Sequence, residues 1–135
     1  MSQKGFVVWF TGLPCAGKKT LATSLAAALD QRGIPSESIA SGTLRKSLLG
    51  NTLGFSKTHR DANCRRNAFA AQILARHGVV ALVSAVSPYR STRTAIRESI
   101  EDFVEVHVST PKEACVDRDT KGLWAKALAG EIRNF

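Results

Sequence analysis

Residues 12–20 read GLPCAGKKT, and this stretch decides the fold of the chain. Gly12, Gly17 and Lys18 match GxxxxGK[ST], the pattern of a phosphate-binding loop, although Lys19 stands where serine or threonine is usual. In such a loop the backbone amides, the N-terminus of the next helix and the lysine all attract phosphate. The motif therefore predicts a nucleoside triphosphate site between a strand and a helix.

The sequence on both sides of the loop supports this interpretation. Residues 6–10 (FVVWF) form an apolar run rich in β-branched and aromatic residues, which is typical of a buried parallel strand. Residues 18–32 are predicted to be a helix because apolar residues recur there at helical spacing. The residues expected to face the core of the protein are Leu21, Leu25, Ala28 and Leu29.

Strands and helices alternate along the rest of the chain. Short apolar or alternating runs predict strands, and longer stretches with helical periodicity predict helices. This alternation indicates an α/β fold, a three-layer P-loop NTPase-like domain with a parallel sheet. The predicted strands are 36–40, 79–86 and 103–108, and the predicted helices are 60–77, 91–100, 112–118 and 123–129. One side of helix 60–77 is expected to face the core and carries Ala68, Phe69, Ala71, Ile73 and Leu74.

The composition indicates a single globular domain with an anionic partner. The 135 residues are 44% hydrophobic, and no apolar run approaches the ~20 residues of a membrane span. We see no secretory leader, and Cys15, Cys64 and Cys115 form no CxxC pair, so we expect a cytoplasmic protein with reduced thiols. The net charge of +8 would attract nucleotides, nucleic acid and acidic membranes alike. Only the nucleotide has a motif, so we predict neither nucleic acid nor membrane as a partner.

Four segments, in order along the chain, resemble the adenylyl sulfate kinase family. FVVWFTGLPCAGKKTLA (residues 6–22) looks like the family's first strand and phosphate loop. LGFSKTHRDANCRRNAFAAQILARHG (53–78) looks like its substrate segment, VVALVSAVSPYRSTR (79–93) like its third strand and the turn after it, and 102–135 like its C-terminal run. The resemblance implies a P-loop kinase that uses ATP to phosphorylate the 3′-hydroxyl of adenosine 5′-phosphosulfate (APS), a step of sulfate assimilation.

The resemblance also implies roles for individual residues. The forked guanidinium groups of Arg45 and Arg60 suit the phosphate and sulfate of APS. Ser87 matches a serine described in the family as a phosphorylated intermediate, but before Pro88 it is more simply a turn residue that ends a strand. The implied catalytic residues are Lys18 and Ser87; the implied ATP-binding residues are Gly12, Leu13, Pro14, Cys15, Ala16, Gly17, Lys18, Lys19, Thr20 and Arg118; and the implied APS-binding residues are Arg45, Phe55, Arg60, Asn63, Lys121 and Phe135.

The metal site that the resemblance implies lacks its protein ligands. Mg²⁺ bridging the phosphates is central to phosphoryl transfer, and the hydroxyl after the loop lysine normally binds it. Protonated Lys19 offers no lone pair, and residues 41–43 (SGT) stand where the family has acidic residues. Positions 38–60 contain no carboxylate at all. We therefore assign no residue to a metal, although Mg²⁺ is expected for the family.

Two hypotheses of function remain open at this point. The first is an active APS kinase. The second is a catalytically weakened nucleotide-binding or regulatory domain of the same family, because metal ligands are missing beside retained substrate residues. The resemblance implies nucleotide substrates as partners and leaves open a homodimer and an association with a sulfurylase. It also implies one domain over residues 1–135 that lacks the family's last strand and helix.

Overall fold

The computed structural model describes residues 4–40, 56–119 and 121–132. Strands and helices alternate through these ranges. All strands and helices predicted above are confirmed there, with boundaries that differ by three residues at most. The strands are β1 (Val7–Thr11), β2 (Ser36–Ala40), β3 (Val80–Ser84) and β4 (Phe103–His107), and the helices are α1 (Lys18–Gln31), α2 (Lys57–Arg76), α3 (Arg90–Ser99), α4 (Lys112–Arg118) and α5 (Leu123–Leu128).

The strands form one parallel sheet in the order β2-β3-β1-β4. Val7 of β1 pairs with Ala81 of β3 on one side and with Phe103 of β4 on the other. Every residue of β1 is buried, as the unbroken apolar run predicts for a central strand. Because the strands are parallel, their carboxyl ends meet at one edge of the sheet. The phosphate loop (residues 12–17) follows β1 at that edge.

Alternate side chains of β1 pack on opposite faces of the sheet, which produces three layers. Trp9 lies in one core cluster with Ala68 of α2 and Ile96 of α3. Phe10 lies in another with Ala22 of α1. Helices therefore cover both faces of the parallel sheet, and the predicted α/β, three-layer P-loop fold is confirmed.

The predicted buried faces of α1 and α2 are confirmed in part. In α1 Leu29 is 8% exposed, as predicted. Leu21 and Ala28, also predicted to face the core, are exposed, Leu21 by 45%, whereas Ala22 is 2% exposed.

In α2 the predicted Ala68 and Ala71 are 7% and 0% exposed. Phe69 and Ile73, predicted on the same side, are 65% and 40% exposed. Helical periodicity predicts an apolar stripe but does not decide its rotation about the axis, which packing against the sheet sets. Both helices turn alanine toward the sheet.

Cysteine burial and helix length complete the description of the fold. No disulfide joins Cys15, Cys64 and Cys115, and Cys64 and Cys115 are buried. Burial raises the pKa of the Cys64 thiol because desolvation disfavours the thiolate. Within the described ranges no helix is both long and apolar enough to cross a membrane.

Candidate functional site

The phosphate loop turns at residues with positive φ. Gly12 and Gly17 have φ of 155° and 106°. A Cβ at Gly12 would lie 2.6 Å from the carbonyl oxygen of Val108, so the close approach of the two backbones requires glycine there. Cys15 has φ of 67°, a left-handed conformation that disfavours an L residue by roughly 1–2 kcal/mol. The neighbours of the loop must therefore hold Cys15 in place.

Lys18 begins α1 and turns its side chain back under the loop. Its Nζ donates to the carbonyl oxygens of Gly12 at 2.9 Å and Leu13 at 2.8 Å. The residue is only 9% exposed. Burial lowers the pKa of Lys18 to about 8, because desolvation disfavours the charged ammonium. A cation is thus held against the loop backbone, next to the N-terminus of a helix.

Side chains from the α4–α5 region bind the carbonyl oxygens of residues 14–16. The indole Nε1 of Trp124 donates to the carbonyl oxygen of residue 14 at 2.9 Å. Nη1 of Arg118 donates to the carbonyl oxygen of residue 15 at 3.2 Å and to that of residue 16 at 3.4 Å. Oγ1 of Thr110 donates to the carbonyl oxygen of residue 16 at 2.7 Å. Arg118, a predicted ATP-binding residue, therefore lies against the loop itself.

The position expected to hold Mg²⁺ is a lysine at the surface. Lys19 and Thr20 are both exposed in the first turn of α1, which contains no acidic residue. Within residues 4–40, 56–119 and 121–132, no group of three or more His, Cys, Asp or Glu side chains could hold a metal ion. Mg²⁺ is bound through oxygen ligands, which an ammonium group does not supply. Lys19 therefore does not fit the role of the loop hydroxyl that normally binds Mg²⁺.

Ser87 is buried beside the loop and its hydroxyl is already engaged. The residue is 2% exposed. Its Oγ accepts from Nε1 of Trp9 at 2.8 Å and donates to the carbonyl oxygen of Ala85 at 3.3 Å. Its φ is 48°, and its carbonyl oxygen accepts from Nη1 of Arg93 at 2.5 Å. These contacts are those of a turn residue that ends β3, the simpler of the two sequence interpretations.

Helix α2 begins next to this turn and carries two of the predicted APS-binding residues. Ser56 caps the helix, since its hydroxyl accepts a backbone N–H of the first turn at 3.2 Å. The Cys64 side chain hydrogen-bonds Ser87. Arg60 and Asn63, one turn apart and both partly exposed, share a face of the helix. The start of α2 and the phosphate loop therefore lie at the same edge of the sheet.

Asp61 joins α2 to α3, a role that we did not predict from the sequence. Its carboxylate accepts from Nζ of Lys57 at 2.7 Å and from the hydroxyl of Thr92. The hydrogen bond from Lys57, followed by that from Thr92, lowers the pKa of Asp61. The link holds the N-terminal part of α2, and with it Arg60, against α3. One feature of the sequence could have indicated this role: Asp61 is the one acidic residue in the basic stretch 57–66.

The remaining predicted residues are placed in part. Lys121 is exposed and lies between α4 and α5. Arg45, Phe55, Phe135 and residues 41–43 lie outside the described residues. Sequence reasoning also missed the loop contacts of Thr110 and Trp124. Trp124 is 110 positions from the loop residue that it binds, so no local pattern could reveal the contact.

Comparison with known proteins gives one consistent result. The sequence pattern of the family described as Adenylylsulphate kinase matches residues 4–135. An adenylyl-sulfate kinase of Synechococcus sp. (strain JA-3-3Ab) is 50% identical over 135 residues, which are 100% of this chain and 76% of that protein. An adenylyl-sulfate kinase of Chloroflexus aurantiacus is 48% identical over 134 residues, 99% of this chain and 72% of that protein.

A solved structure shows the same similarity in three dimensions. It is the Mycobacterium tuberculosis APS kinase CysC in complex with AMPPNP and APS. Its TM-score to this chain is 0.91 at 40% sequence identity, over 98% of this chain and 79% of that one. The agreement covers the described sheet and the helices on both of its faces.

Proposed function

The chain belongs to the adenylylsulphate kinase family, and on that premise we propose that it transfers the γ-phosphoryl group of ATP to the 3′-hydroxyl of APS. The products are ADP and 3′-phosphoadenylyl sulfate. The observation that supports the proposal is a phosphate loop whose backbone binds the Lys18 ammonium group. It occurs in a chain that is 50% identical in sequence to an adenylyl-sulfate kinase. These relatives do not favour the alternative of a weakened regulatory domain.

The phosphate loop would hold the triphosphate of ATP. Phosphoryl transfer requires mainly positioning and neutralisation of charge rather than covalent work by the protein. Lys18 would supply charge at the loop, and the loop amides and the N-terminus of α1 would supply hydrogen-bond donors. Lys19 is exposed next to Lys18 and adds a second positive charge. Because Lys19 stands where the loop hydroxyl normally binds Mg²⁺, we place no step of the transfer at a protein-held metal.

The start of α2 would hold APS. The guanidinium of Arg60 can form paired hydrogen bonds with a phosphate or sulfate, and the amide of Asn63 can both donate and accept. The roles of Arg45, Phe55, Lys121 and Phe135 rest on the family resemblance. With the loop at the end of β1 and α2 beside the turn after β3, the two nucleotides would meet at one sheet edge. That arrangement suits direct in-line transfer.

We assign Ser87 to the turn rather than to a phosphorylated intermediate. Its hydroxyl would have to leave both Trp9 and Ala85 to reach a phosphate, because it is buried between them. In-line transfer from ATP to the 3′-hydroxyl needs no nucleophile from the protein. The proposal therefore keeps Lys18 as the catalytic residue.

A direct assay tests the proposed reaction. The chain incubated with Mg-ATP and APS is expected to release ADP and 3′-phosphoadenylyl sulfate in equal amounts, separated by anion-exchange chromatography. AMP, which has the 3′-hydroxyl but no sulfate, serves as the control acceptor and is expected to give no product. If ATP and APS both bind and no product forms, the kinase proposal is wrong and the regulatory alternative stands.

Lys18 makes nucleotide binding depend on pH. Without nucleotide its pKa is about 8, and bound phosphate would raise that pKa, so binding above this pH takes up a proton. We expect ATP affinity to stay level below about pH 7.5 and to fall by up to about tenfold per pH unit above about pH 8. Calorimetry in two buffers of different ionisation enthalpy measures the uptake.

The matched variant for this pH experiment is Lys18→Arg. A guanidinium keeps its charge throughout this pH range, so the variant is expected to bind ATP without proton uptake. Equal uptake by both proteins at pH 9 would show that another group titrates.

A further inference from the structure

We propose that Trp124 is a positioning residue for the phosphate loop. Its indole N–H, together with the side chains of Arg118 and Thr110, holds the loop peptides in the orientation that binds a nucleotide phosphate. We call these three side chains the loop clamp. The inference rests on the proposed kinase function and adds to it a residue that has no place in the phosphate-loop motif.

The loop clamp binds consecutive peptide groups. It engages the carbonyl oxygens of residues 14–16 at distances of 2.7–3.4 Å. A trans peptide is planar, with its N–H directed opposite to its carbonyl group. Fixing these three oxygens therefore also fixes the N–H groups of residues 15–17. The N–H of Ala16 closes a turn onto the carbonyl oxygen of Leu13 at 3.1 Å.

The loop needs such support at Cys15. This residue is in the left-handed region at φ 67°, where a residue with a Cβ is disfavoured. Trp124 binds the carbonyl oxygen immediately before Cys15, and Arg118 binds that of Cys15 itself. Trp124 also packs in a buried cluster with Ala16 and Cys115, and Cys15 packs against the same cluster. The clamp thus opposes relaxation of the loop on both sides of the strained residue.

Trp124 is itself held firmly. The carboxylate of Asp119 accepts from the backbone N–H of Trp124 at 2.8 Å and from that of Ala125 at 2.9 Å, which caps α5. Nζ of Lys112 lies 5.9 Å from the centre of the indole ring. The connection between α4 and α5, which contains Lys121, is therefore mechanically linked to the phosphate loop. A tryptophan fixed in this way can define the position of the peptide that it binds.

Trp124→Phe tests the proposal, with Trp9→Phe as the matched control. Both tryptophans are buried, at 7% and 1% exposure, and each donates one indole hydrogen bond. Only Trp124 donates to the loop. We expect Trp124→Phe to speed hydrogen–deuterium exchange of residues 12–18 in the nucleotide-free protein by about fivefold. Trp9→Phe is expected to leave exchange of these residues unchanged.

Calorimetry with ADP supplies the functional readout. Trp124→Phe is expected to weaken ADP binding by about fivefold while the affinity for APS stays within about twofold. Loop exchange that is the same in both variants overturns the proposal, whether or not nucleotide binds. Faster loop exchange with unchanged ADP affinity also overturns it, because the clamp would then not matter for phosphate. Failure of the unaltered chain to bind ADP would instead contradict the proposed function.

A second variant guards against loss of folding. Thr110→Val removes the hydroxyl that donates to the carbonyl oxygen of Ala16 and nearly preserves the shape of the side chain. It is expected to act in the same direction as Trp124→Phe on both readouts. Unchanged exchange and unchanged ADP affinity in Thr110→Val, should Trp124→Phe not fold, overturn the proposal.

Discussion

Replacing Lys18 with methionine is expected to lower kcat/KM for ATP by roughly 10²–10³-fold. Methionine keeps an unbranched side chain of similar length but removes the ammonium group that donates to Gly12 and Leu13 at 2.9 and 2.8 Å. A preorganised charge next to the transferred phosphoryl group needs no rearrangement when the transition state forms, so removing it directly raises the activation free energy of the transfer. Steady-state kinetics with ATP varied at saturating APS measure the effect.

Lys4→Met is the matched control for this experiment. Lys4 precedes β1, at the opposite end of the sheet, and pairs with Glu101 at 3.5 Å and Asp102 at 3.0 Å. It is 67% exposed, and such surface ion pairs contribute little to stability. We expect wild-type kinetics from this variant. A Lys18→Met protein that folds, as judged by its Tm, and keeps more than about one tenth of kcat/KM would contradict the assigned role.

Replacing Arg60 with glutamine is expected to raise KM for APS by about 10–100-fold while KM for ATP stays within about threefold. A hydrogen bond to a charged group is worth about 1.5–3 kcal/mol, and glutamine cannot replace the forked, charged donor. Arg60 lies in a turn of α2 that Asp61 holds against α3 through Thr92. The arginine therefore starts from a fixed backbone, and its loss should act on APS alone. Initial rates with APS varied at saturating ATP provide the measurement.

The control for Arg60 lies on the same helix. Arg76 is exposed in the last turn of α2, roughly 24 Å along the axis from Arg60. Arg76→Gln changes the net charge of the chain by the same amount and is expected to leave both KM values unchanged. If the two variants raise KM for APS equally, the effect comes from the general positive field of the protein and not from a site at Arg60.

Local sequence was enough to predict most of the secondary structure and the phosphate loop. The run FVVWF, the glycines at 12 and 17 and the helical spacing after Lys18 each depend on interactions between residues a few positions apart. The resemblance then identified the family, because four segments in order are far more specific than one loop. It also implied residues that the structure brings to one edge of the sheet, among them Lys18, Arg60 and Ser87.

Tertiary packing decided the rest, because the deciding contacts join residues that are distant in the chain. The sheet order β2-β3-β1-β4 and the rotation of α1, which buries Ala22 and exposes Leu21, follow from contacts between elements. The hydroxyl of Ser87 is occupied by Trp9, 78 positions away. Trp124 is bonded to the loop across 110 positions. A sequence pattern records which backbone conformations its residues favour locally, whereas the partner of a buried polar group depends on which elements pack together.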